Sequence, residues 1–265
     1  MRKAVITGST KGIGFALARE LLRRGHSVVV TGRARTAVDE AVERLRPEAA
    51  DGAAVHGHAL DVTDAAQVEA LWTAAVDALG GVDLWINNAG VAHTTRPITE
   101  TTPDDVRTMV TTNMLGTVYG SQVAVRGMRA AGGGQVFNVL GGGSDGRIRP
   151  GMGVYSATKR GLDSFTSALV KEVAGTGVRV GRVSPGILIT DGWLREAAAA
   201  PEQVAGQRRI LNILCDHVDE VAPHLVARML ASTRNGDAIA WLTTARMTRK
   251  FLLPRKEDVL ARYGL

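Results

Sequence analysis

The chain has 265 residues, 45% hydrophobic and 22% charged, with a formal net charge of +6 and a pI near 9.9. The length allows one substantial core, and the composition excludes a disordered chain or a collagen. No apolar run approaches the ~20 residues of a membrane helix, and one cysteine, Cys215, excludes an internal disulfide framework or a multi-cysteine metal site. Nucleic acid is not an expected partner: arginines are scattered and aromatics are only 4%, too few for stacking platforms. An anionic small molecule suits the charge better. Met1-Arg2-Lys3 runs at once into Ala4-Val5-Ile6, too short for a secretory signal, so a cytoplasmic protein is expected.

Short apolar runs alternate with longer helical patterns. The strand candidates are 3–7, 27–31, 53–60, 82–87, 135–140, 178–183 and 237–242, several rich in Val and Ile and bounded by Gly or Asn. Helices are expected over 13–24, 36–46, 64–79, 103–131 and 155–174. Asp64 stands as a cap candidate, and so does Thr102, with Pro103 at the first helical position, where its missing N–H costs nothing. This alternation predicts one α/β domain over 1–265. It would be a doubly wound parallel sheet of about seven strands with helices on both faces. Such a sheet takes its ligand at the carboxyl ends of its strands.

The first strand runs into Gly8-Ser9-Thr10-Lys11-Gly12-Ile13-Gly14. Gly8 permits a tight turn, Gly12 a close approach of backbone to pyrophosphate, and Gly14 close packing of the following helix. The helix N-terminus offers N–H groups to phosphate. The second strand ends at Arg33 with no carboxylate, and Lys11 lies inside the glycine loop. Two cations there favour the 2′-phosphate of NADP(H), the alternative being two solvated surface cations. Arg35 is a weaker third candidate. Asp61 and Val62, after the third strand, are placed to meet an adenine ring, with a turn preceding a helix as the bland alternative. Tyr155 and Lys159 are four apart and share one helix face. A nearby ammonium is expected to lower the tyrosine pKa from about 10 toward the working range.

Together the glycine loop, Asp61, Asn87-Asn88-Ala89-Gly90, Asn113, Tyr155-x3-Lys159 and Pro185-Gly186 resemble the short-chain dehydrogenase/reductase family over nearly the whole chain. The resemblance implies a Rossmann fold and proton donation from Tyr155 to a substrate carbonyl. It implies that Lys159 holds the nicotinamide ribose and that Asn113 anchors a water in a relay to Lys159. Asn88, Ala89 and Gly90 would line the cofactor, as would Pro185, Gly186, Ile187 and Thr190 on the nicotinamide side. A lid over about 190–212 would cover the substrate, with Trp193, Leu194 and Met152 as its wall; ordinary core packing is the alternative for the first two. His93 reads as a loop residue. A homodimer or homotetramer is expected by the same analogy.

The sequence departs from the family at its serine. The strand Phe137-Asn138-Val139 continues Leu140-Gly141-Gly142-Gly143-Ser144, with glycine at the usual serine position. Either Ser144 reaches the substrate, or backbone N–H groups of the glycines take over, or the contact is lost. The glycine run, Ser184 to Asp191, Asn212 to His217 and Gly236 to Thr243 resemble the chlorophyll(ide) b reductase branch. That implies NADPH-dependent reduction of an aldehyde or ketone on a bulky cyclic molecule. The lost serine keeps open imine reduction, alcohol oxidation or a non-redox cyclisation, dehydration or epimerisation. The tail 249–256 is amphiphilic and reads as a packed terminal segment rather than a membrane anchor.

Overall fold

Alternating apolar residues on short runs can bury both faces only if helices cover both sides. The computed structural model, which describes residues 1–147, 150–199, 201–253 and 258–263, has that arrangement. Its main strands are β1 (Lys3–Ile6), β2 (Ser27–Gly32), β3 (Val55–Ala59), β4 (Leu84–Asn87), β5 (Gly134–Val139), β6 (Val178–Ser184) and β9 (Ala238–Ala240). They form one parallel seven-stranded sheet in the order β3-β2-β1-β4-β5-β6-β9. All seven predicted strands are therefore present. The order reverses between β1 and β4, which sets a crevice at their carboxyl ends.

The strand period of two divides the core. Ala4, Ile6, Val28, Val30, Leu84, Ile86, Phe137 and Val139 pack on one face, against α1 (Gly12–Arg23), α2 (Arg35–Leu45) and α9 (Val218–Ala231). Val5, Val29, Trp85 and Val136 point the other way, toward α3 (Ala65–Leu79) and α5 (Gly116–Ala130). Asp64 caps α3 by accepting from the N–H groups of Ala66 and Gln67 at 2.9 and 3.2 Å. Thr102 caps α4 (Pro103–Val110) by accepting from Asp105 N–H at 3.1 Å.

Three features depart from the expected pattern. The helix over 103–131 is not one regular α-helix: a π turn over Thr111–Leu115 joins α4 to α5. The segment after β6 also forms a small parallel pair, β7 (Ile187–Ile189) with β8 (Cys215–His217), enclosing α7 (Asp191–Ala199) and α8 (Pro201–Leu214). This cap has its own apolar cluster of Ile189, Leu211, Cys215, Val259 and Leu260. In the tail, Lys250 of α10 (Thr244–Leu252) lies 2.6 and 2.8 Å from the buried carboxylate of Asp216, but Phe251, Leu252 and Leu253 are exposed, so the apolar part of the tail is not packed as expected. Positions 254–256 of that tail, and Ala200 of the cap, lie outside the described residues. No helix among the described residues is long and apolar enough to cross a membrane.

Candidate active site

The glycine loop closes between β1 and α1 because its glycines do what side chains cannot. Gly8 and Gly12 both take positive φ, +64° and +58°. A β-carbon on Gly14 would run into Asn88 Nδ2, the Gly8 carbonyl and Ser9 Cα. Thr7 locks the loop to β4: its hydroxyl accepts from the N–H groups of Asn88 and Ala89 at 2.9 and 3.0 Å. Asn88 returns two bonds of 2.9 Å, to the carbonyls of Thr7 and Gly8. Its own Oδ1 is buried without a partner among the described residues, an acceptor aimed at nothing the protein supplies. The loop thus has the shape and the unspent polar capacity that a dinucleotide needs.

Around it stand the other expected contacts. Thr10 packs on Gly32, directly before Arg33. Lys11 and Arg33 are exposed, and neither meets a carboxylate among the described residues, whereas Arg35 is held by Asp39 at 2.9 Å. Asp61 Oδ1 accepts from Thr63 N–H and its hydroxyl, both at 2.9 Å, which builds the turn into α3 and leaves Oδ2 for other work. Val62 is buried, and Ile13 is half-buried against the core. Gly186, after Pro185, takes φ +84° and lies on Trp241 and Leu242. Ile187 begins β7. Thr190 closes on the loop: a β-carbon on Gly12 would sit 3.6 Å from its methyl group.

Tyr155 and Lys159 project from the first turns of α6 (Gly153–Glu172). Lys159 Nζ donates to the Val139 carbonyl at 3.1 Å and lies 5.9 Å from the centroid of the Tyr155 ring. Asn113 is fully buried in the π turn. Its Oδ1 accepts from Val91 N–H at 2.8 Å, and its Nδ2 donates to the Val91 carbonyl at 2.9 Å and to Thr158 Oγ1 at 3.1 Å. Both its N–H bonds are spent on protein, so it fixes the loop after β4 and the residue beside Lys159. A β-carbon on Gly90 would lie 3.2 Å from Asn113 Oδ1 and 3.6 Å from Lys159 Nζ, so all three converge.

The pKa expectation needs correcting. Burial pushes the Tyr155 phenol up, to about 12, and pushes Lys159 down, to about 8. Loss of water costs both charged forms here, and it outweighs the ammonium's pull on the phenol. The resulting phenol is a protonated acid at neutral pH, and the lysine titrates within reach of it.

The glycine run lies on the same helix. Gly141 faces Tyr155 and Lys159, Gly142 faces Met152, and Gly143, at φ +86°, faces Ser156. The chain then turns, with Ser144 N–H donating to the Gly141 carbonyl at 3.2 Å. The Ser144 carbonyl accepts from Arg160 at 2.8 Å, which sets Ser144 along the 156/160 stripe of α6 and Gly141 along the 155/159 stripe. The residue that meets the Tyr155 hydroxyl is therefore Gly141.

A family model described as short chain dehydrogenase matches residues 2–200. The chain belongs to that family. As a short-chain dehydrogenase it is 37% identical over 262 residues to the Arabidopsis thaliana protein named "Probable chlorophyll(ide) b reductase NYC1, chloroplastic", covering 93% of this chain and 51% of that protein. The chain thus spans about half the length of that relative. It is 38% identical over 236 residues to chlorophyll(ide) b reductase NOL, chloroplastic, of Oryza sativa subsp. japonica, covering 87% and 67% of the two chains. Among solved structures, L-sorbose reductase from Gluconobacter frateurii, complexed with NADPH and L-sorbose, superposes with a TM-score of 0.79 at 25% identity, covering 90% of this chain and 94% of that one.

In this short-chain dehydrogenase the expected substrate wall has a second occupation. Trp193 and Leu194 are half-buried against the apolar cluster of the cap. Trp193 N–H donates to Thr190 Oγ1 at 3.3 Å, opening α7. Met152 stands against Gly142 at the entry to α6. Sequence reading missed the polar web beneath the site. Asn87 Nδ2 donates to Asn138 Oδ1 at 2.9 Å and to Ser121 at 3.0 Å, its Oδ1 accepts from Trp85 at 2.7 Å, and Asn138 donates to Thr166 at 3.0 Å. These buried amides tie β4 to β5, α5 and α6. Two Asn at the same register of adjacent strands were the available signal.

Proposed function

We propose that this short-chain dehydrogenase is an NADP(H)-dependent reductase of an aldehyde or ketone on a bulky cyclic small molecule, acting as one domain over 1–265 with its cap at about 190–212. The observation that carries the reading is the convergence of Tyr155, Lys159 and Asn113 around Gly90 and Gly141 at the carboxyl edge of the sheet. When bound, the nicotinamide cofactor supplies hydride. Gly8, Thr10, Gly12, Ile13 and Gly14 would hold its pyrophosphate and Asp61 and Val62 its adenine. Lys11 and Arg33 would hold its 2′-phosphate. Asn88, Ala89, Gly90, Pro185, Gly186, Ile187 and Thr190 would hold the nicotinamide half.

Tyr155 donates its proton to the substrate oxygen as charge builds there, and burial keeps it protonated for that step. Lys159 orients the ribose and balances the phenolate left behind, while Asn113, its side chain spent on Val91 and Thr158, holds the loop and the helix around that lysine. Met152, Trp193 and Leu194 wall the substrate. Ser144 reaches it only through a turn of the glycine loop, so Tyr155 carries most of the activation. The exposed Val110 and Leu115 on the helix through α4 and α5 support pairing of that helix in a homodimer or homotetramer.

Gly141 favours a second reading. A site without the serine hydroxyl suits an imine, an alcohol to be oxidised, or a non-redox cyclisation, dehydration or epimerisation. NADPH oxidation with product mass, measured across ring aldehydes, cyclic ketones and cyclic imines and including chlorophyllide b, separates the two. Alcohol formed with matching NADPH loss supports the first; amine formed from an imine, or conversion without NADPH loss, moves the assignment to the second.

A further inference from the structure

One carboxylate joins α7 to the loop after β4. Glu196 stands on α7, three residues after Trp193, and is mostly buried. Thr94 N–H donates to its Oε2 at 2.7 Å, and the Thr94 and Thr95 hydroxyls lie 3.5 and 3.4 Å from the same oxygen. His93 Nδ1 lies 3.6 Å from Oε1. The far nitrogen of that ring is 3.5 Å from Asp105, which also faces Arg96 at 3.6 Å. The loop holding 93–95 is itself seated on the entry to α6: a β-carbon on Gly151 would meet the Thr94 carbonyl at 2.7 Å. Gly151 directly precedes Met152, four residues before Tyr155.

The grip therefore runs from α7, across the loop after β4, to the residues that carry Tyr155. Its chemistry suits a tie that must open and close. Glu196 keeps 19% of its side-chain surface exposed, so water reaches the carboxylate when the tie parts. Among the described residues, no Arg or Lys pairs with Glu196; its partners are one backbone N–H, two hydroxyls and an imidazole. Bonds to a carboxylate are stronger than neutral ones, yet water replaces them when they part. A helix held this way can swing out for a bulky substrate and return over it.

Resting on the reductase reading, we propose that Glu196 is a positioning residue that straps α7 across the substrate, fixing the cleft wall at Trp193 and Leu194 relative to Tyr155. The experiment compares the full-length wild type, Glu196→Ala and Glu196→Gln, all with saturating NADPH. Backbone hydrogen exchange over 191–199 should speed at least tenfold in Glu196→Ala. Glu196→Gln keeps an acceptor for Thr94 N–H and should restore most of the protection. With 1-decalone, cyclohexanone and chlorophyllide b as probes, KM should rise at least tenfold in Glu196→Ala, with kcat within threefold and the NADPH Kd unchanged.

Unchanged exchange in Glu196→Ala overturns the strap. So does faster exchange with an unmoved KM, which would leave Glu196 a structural tie only. A wild type that reduces none of the probes counts against the reductase reading; the exchange comparison still decides the strap.

Discussion

The Tyr155 hydroxyl occupies the volume that a side chain on Gly141 would need: a β-carbon there would overlap the hydroxyl and lie 3.0 Å from Cζ and 3.4 Å from Lys159 Cε. The glycine is thus a condition of the tyrosine's pose. Gly141→Ser, which restores the residue type usual in the family, should lower kcat/KM at least tenfold by displacing the phenol. A displacement of ~1 Å at a reacting group can cost far more than its size suggests. Ser144→Ala should change kcat/KM by less than about tenfold, because Ser144 lies on the neighbouring stripe of α6. Steady-state kinetics of the two variants checks both; a Gly141→Ser enzyme faster than wild type contradicts the placement.

Lys159 sets activity against stability. Its folded pKa of about 8 lies below the ordinary 10.5, so between those values the unfolded chain binds more protons. Wild-type stability should therefore rise from pH 8 to 10.5 and fall as pH drops toward 8. Tyr155 acts at higher pH: its raised pKa contributes stability below pH 10 that is lost as pH climbs through about 12. Lys159→Met should gain on the order of 2 kcal/mol at pH 7 while losing turnover. Its advantage should shrink by pH 10. Urea unfolding at the two pH values measures this, and a less stable variant at pH 7 refutes it. NADPH-driven turnover should decline as pH rises past about 8, where Lys159 loses its charge.

On the proposed reading, cofactor choice rests on Lys11 and Arg33. Charge-assisted bonds to phosphate contribute roughly 1.5–3 kcal/mol, so Arg33→Ala should weaken NADPH binding about tenfold or more. NADH binding should stay within about threefold. Calorimetry on both dinucleotides provides the comparison, and equal losses for the two would remove Arg33 from the 2′-phosphate.

Much of this architecture was legible in the chain because its signals are local. Val28-Val29-Val30 and Leu84-Trp85-Ile86 announce buried strands, Asp64 and Thr102 announce helix starts, and the loop glycines announce positive φ or close approach. What stayed hidden depends on contacts distant in sequence. The π turn at 111–115 shifts side-chain phase without breaking the helical pattern. The β7 and β8 strands are three residues each and meet across two helices. Glu196 reads as one more surface acid on α7, yet its partner Thr94 is 102 residues away. The rise in the Tyr155 pKa was likewise invisible, because spacing shows the lysine but not how far the fold takes either group out of water.

NADPH-dependent alcohol formation by wild type and Tyr155→Phe on the most reactive probe decides whether Tyr155 is the proton donor of a carbonyl reductase. Proton donation by Tyr155 predicts a loss of roughly a hundredfold or more in kcat, the range general acid catalysis supplies, with NADPH affinity kept. A Tyr155→Phe enzyme that makes alcohol at the wild-type rate would contradict it.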